Sequence, residues 1–142
     1  MSTFQIGDIV IGNNTWLLGL LGVGSTVGVI THVGPYSSVI YLFMRNEDIT
    51  LLNEYIDKIV MKNNENEFKV GDLVELKPRV RDIININGVG TIIKQTIIKT
   101  SDHDRKWTNH AVDAFLVYFP EVDYEYTIPR SCLRIFSPPK ND

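Results

Sequence analysis

The chain has 142 residues, of which 44% are hydrophobic, so it is no disordered polymer and is either one ordinary domain or two very small ones. Its formal net charge is -3, whereas dedicated nucleic-acid-binding domains are typically basic. A single cysteine, Cys132, excludes an intramolecular disulfide and suits a reducing compartment.

Residues 1–4 lack the basic start and apolar core of a secretion signal. The first strand is expected at residues 8–11, Asp-Ile-Val-Ile, after a Gly-Asp turn. Residues 13–21, Asn-Asn-Thr-Trp-Leu-Leu-Gly-Leu-Leu, are expected as a loop. The apolar run at 16–30 is shorter than the roughly 20 residues of a membrane span and is broken by four glycines, so a soluble chain with no membrane contact is expected. Strands follow at 26–30 and 38–44, and residues 51–60 should hold a helical turn and a closing strand. Residues 63–67 read as a polar linker. The second part repeats the scheme, with strands at 72–76, 91–97, 114–119 and 124–128. A helical turn with Pro129 at its start then leads into a last strand at 133–136, and residues 138–142 form a tail.

The repetition is explicit. Phe4-Gln5-Ile6-Gly7-Asp8-Ile9-Val10 returns as Phe68-Lys69-Val70-Gly71-Asp72-Leu73-Val74. Gly22-Val23-Gly24 returns as Gly88-Val89-Gly90, and Tyr41 returns as Tyr118. With these pairs matched, the second copy gains two residues before its Gly-Val-Gly turn and eleven more within 96–109, where an insertion belongs in a surface hairpin.

Phe-x-[Ile/Val]-Gly-Asp-[Ile/Leu]-Val followed by Gly-x-Gly-Thr resembles the opening of SH3-like barrels, including KOW and Tudor-type modules. Residues 128–133, Ile-Pro-Arg-Ser-Cys-Leu, resemble the short helical turn before their last strand. The resemblance implies an all-β chain of two tandem SH3-like five-stranded barrels with short helical turns, at 1–62 and 68–137. The second copy also resembles small uncharacterised proteins of tailed bacteriophages. That resemblance implies a phage-encoded virion component, or an adaptor on a host protein in the host cytoplasm.

The expected cores contain Phe4, Ile9, Val23, Val29, Ile40, Leu42 and Ile59 in the first barrel. In the second they contain Phe68, Leu73, Val89, Ile92, Val117, Phe119, Leu133 and Ile135. Trp16, Leu17, Leu18, Leu20 and Leu21 should not face water. They either fold over a barrel or bind a protein partner, which includes a second copy, with Trp16 as anchor.

Seven basic residues, Lys77, Arg79, Arg81, Lys94, Lys99, Arg105 and Lys106, stand against three acidic ones between 77 and 106. With Trp107 they form either a solvated face or a grip on a phosphate backbone, and the alternative to a protein-binding module is a KOW-like nucleic-acid or transcription-complex binding protein. Asp102, His103 and Asp104 are consecutive, so a strand would split them between two faces; with His110 they do not make a metal set. No phosphate loop, Cys-x-x-Cys or Gly-x-Ser-x-Gly is present, and a non-enzymatic interaction protein without cofactor or small-molecule substrate is expected. Asp8 and Asp72 are expected to serve turns, and Cys132 to be a small core residue.

Overall fold

The computed structural model of the protein describes residues 4–22, 24–61, 67–99 and 111–136. Most of the expected linker, the expected tail and residues 100–110, where the sequence places the insertion, lie outside them. The molecule is mostly β. Strands β1 (Ile9–Gly12), β2 (Gly28–Val33), β3 (Ser37–Leu42), β4 (Glu47–Leu52) and β5 (Ile56–Lys58) form one antiparallel sheet, ordered β4-β3-β2-β1-β5. Strands β6 (Leu73–Leu76), β7 (Gly90–Lys99), β8 (Ala111–Phe119), β9 (Tyr124–Pro129) and β10 (Leu133–Ile135) form a second, ordered β10-β6-β7-β8-β9. Read from its opposite end, the second order is the same as the first. Among the described residues neither sheet closes on itself. A single 3-10 turn precedes each last strand, at Asn53–Tyr55 and Arg130–Cys132.

The connection between the first two strands of each half is a helix rather than the expected loop. Helix α1 (Thr15–Leu21) is rich in leucine, a strong helix former. Helix α2 (Pro78–Ile84) begins on proline, whose fixed φ suits the first turn. Each ends on a left-handed residue, Gly22 at φ 82° and Asn85 at φ 68°, whose amides donate to Leu18 and Arg81 carbonyls.

The duplication holds bond by bond. Gly7 and Gly71 have φ of 95° and 93°, which only glycine adopts freely, and their amides donate to the Ile30 and Ile92 carbonyls at 2.8 Å. The Asp8 and Asp72 carboxylates accept the amides of Gln5 and Lys69 at 2.8 and 2.9 Å. Both second strands carry a bulge, after Ile30 and after Ile92. The Tyr41 hydroxyl donates to Asn46 Oδ1 at 2.7 Å, and that of Tyr118 to Asp123 Oδ1 at 2.6 Å.

These pairs correct the sequence alignment. Gly28 lies opposite Val10 and Gly90 opposite Val74, so Gly90 is the equivalent of Gly28, not of Gly24. Between the Gly-Asp turn and this glycine the second half is therefore the shorter of the two, not the longer. The physical reason is close approach: a Cβ on Gly28 would overlap the Tyr41 carbonyl, and one on Gly90 would overlap Val117 and Phe119. Gly22 serves a helix end, so its likeness to Gly88 is one of sequence alone.

One face of the first sheet packs Val10, Ile30, Ile40, Leu42 and Ile56 into a core of their own. The opposite face contributes Ile9, Val27, Val29, Tyr41, Phe43 and Ile59 to a larger core shared with the second half. That core includes Val74, Leu76, Ile92, Val117, Phe119 and Leu133, with Val80 and Ile84 from α2. Across this seam Thr127 hydrogen-bonds Tyr41 through its side chain, and Arg79 Nη1 donates to the Val60 carbonyl at 2.9 Å.

Most of the expected core residues are buried or half-buried; Val23 lies outside the described residues. Leu73 is the correction, at 50% exposure beside fully buried Val74 and Leu76. Side chains alternate along a strand, so of two apolar neighbours only one faces inward.

Candidate interaction surfaces

Helix α1 carries all five residues singled out as a partner contact: Trp16, Leu17, Leu18, Leu20 and Leu21. It has no charged residue. Leu18 is half-buried and Leu20 is 64% exposed. The side chains of Trp16, Leu17 and Leu21 lie outside the described residues. The helix, which itself carries no charge, therefore presents at least one large aliphatic side chain to water.

The basic residues divide. Lys77 is buried, and burial holds its ammonium below the usual lysine range. With Asp8, Lys58 and Ser131 it lines a cavity of about 250 Å³ at the seam. Arg79 reaches the Val60 carbonyl across that seam. Arg81 Nη1 lies 3.7 Å from Glu75 Oε2, while Arg134 Nε donates to Glu75 Oε1 at 2.7 Å. The structure thus brings Lys77, Arg79 and Arg81 to one helix and its entry, where each serves the fold. Lys94 and Lys99 are exposed on β7. Arg105, Lys106 and Trp107 lie outside the described residues, as do Asp102, His103, Asp104 and His110.

Sequence reasoning passed over two features. An aromatic cleft of about 150 Å³ runs along the seam, lined by Tyr41, Phe43 and Met44 from the first half and Leu116, Tyr124 and Tyr126 from the second. The Tyr124 and Tyr126 rings lie 4.7 Å apart. The alternation Tyr-Glu-Tyr at 124–126 was its visible signal. The other feature is the exposed pair Leu73 and Ile93 on the second sheet, hidden because Leu73 reads as core.

Cys132 is buried, and burial pushes its thiol up to about 12, against the weaker opposing pull of the Lys77 ammonium. A thiol so held is a poor nucleophile. Asp8 and Asp72 cap turns, as their hydrogen bonds show. Among the described residues no group of three His, Cys, Asp or Glu side chains could hold a metal ion, and no helix is long and apolar enough to cross a membrane. Comparison with protein-family models, curated proteins and solved structures finds no match.

Proposed function

We propose that the chain is a non-enzymatic protein–protein interaction module built of two SH3-like barrels. The shared strand order, the single 3-10 turn before each last strand and the matched Gly-Asp turns support the barrel assignment. The observation that carries the function is α1, a charge-free apolar helix with Leu20 in water. The resemblance to small proteins of tailed bacteriophages supports a phage-encoded role, in the virion or as an adaptor on a host protein.

A photo-reactive side chain at position 20 tests this, since 64% exposure leaves room for it. A discrete adduct is expected, with a host protein in lysate or with the chain itself in pure solution. No adduct in either setting overturns the proposal. The rival nucleic-acid reading has less support, because Lys77, Arg79 and Arg81 are engaged within the fold. It would require binding to single-stranded RNA or DNA that weakens as salt rises.

A further inference from the structure

Equivalent residues of the two halves differ in burial, and the differences trace the seam. Ile9 is 3% exposed while its counterpart Leu73 is 50% exposed. Thr31 is fully buried while its counterpart Ile93 is 40% exposed. Val29 is fully buried and its counterpart Thr91 is half-buried. All three first-half residues lie on the face of β1 and β2 that meets the second half, or beside it. Among the described residues nothing comparable covers Leu73 and Ile93 on the second sheet.

The complementary side of the seam shows the reverse. There the second half offers α2, which approaches the turn at Gly24–Thr26, and β9, whose Thr127 bonds Tyr41. Their first-half counterparts are α1 and β4. Thr50 stands where Thr127 does, and is exposed. On the same face of β4, two residues on, Leu52 is 43% exposed. Each end of the molecule therefore displays one half of the contact that the fold satisfies once, internally. Terminal units of repeat proteins ordinarily carry polar caps. Here the counterpart elements carry large aliphatic side chains in water: Leu73 on β6 and Ile93 on β7, and Leu20 on α1 and Leu52 on β4.

We infer that copies of this chain associate head to tail. The Leu73 and Ile93 face of one copy receives the α1 and β4 side of the next, reproducing between chains the contact between the two halves. This rests on the reading of the chain as an interaction module and names its partner as a second copy. Such a contact is heterologous, so it leaves a free end and grows into a ring or a filament.

Sedimentation velocity and light scattering over a range of concentrations test it, with circular dichroism confirming that each variant is folded. Wild-type mass should rise with concentration beyond a dimer. Leu73→Asp alone and Leu20→Asp/Leu52→Asp alone should each be monomeric. Mixed, the two variants should form a one-to-one dimer and stop, because each retains one intact face. A wild-type monomer at all concentrations overturns the inference, and so does a dimer that the mixture fails to restore. If that monomer still gives a host adduct at position 20, the interaction-module reading stands and only self-association falls. If it gives none, both fall.

Discussion

Cys132 shows how a residue of no chemical use still couples the fold to pH. An unfolded thiol titrates near 9, whereas the buried one is pushed up to about 12. Between those values the unfolded chain releases a proton that the native chain keeps, so stability falls as pH rises from about 9 toward 12. Lys77 works in the opposite sense. Its native pKa lies below 10.5, so the unfolded chain binds the proton more tightly and stability rises as pH climbs toward that value. Urea unfolding of Cys132→Ala between pH 8 and 11 should show a shallower alkaline loss than the wild type. The thiol should resist an aqueous disulfide reagent in the native protein and react at once in denaturant. Its place in the core was legible from a short apolar neighbourhood; its depth was not, because depth depends on which strands cross above it.

Strand β6 carries the lesson at the next scale. Its pattern, Leu-Val-Glu-Leu, sets two apolar residues side by side, and the period of two groups Leu73 with Glu75 and Val74 with Leu76. Val74 faces Gly90, so Val74 and Leu76 point inward and Leu73 outward. Leu76→Ala should cost about 2–5 kcal/mol in urea denaturation, the usual loss for a buried leucine. Leu73→Ala should stay within about 0.5 kcal/mol, as exposed substitutions do. In β1 the same ambiguity vanishes because both faces are covered, and Ile9 and Val10 are both buried. Strand β4 escaped sequence reading for a related reason. It lies at the edge of its sheet, none of its residues is fully buried, and its apolar residues do not alternate cleanly. Helices α1 and α2 escaped because seven residues are two turns, too short for a helical period to declare itself.

For the whole molecule the shared core is decisive. Tyr41 and Phe43 of the first half belong to the same buried cluster as Val117 and Phe119 of the second. Halves joined in this way should unfold together. Calorimetry should give one transition whose calorimetric and van't Hoff enthalpies agree, and two separate transitions would show the halves to be independent. Small units near the lower size limit gain from such sharing, since each covers apolar surface that the other cannot bury alone.

Sequence alone determined the duplication, the all-β character and the turns that begin each half. Those depend on local chemistry: a glycine at positive φ, an aspartate accepting a nearby amide, and alternating apolar residues. The tertiary structure decided which glycines are equivalent, which face of each sheet is covered and where the basic residues of α2 are spent. Those depend on contacts between residues far apart in the chain, where a small shift in register changes the neighbour and the exposure. Ile9 and Leu73 occupy the same place in a repeated motif, and only the packing of one half on the other puts the first in the core and leaves the second in water.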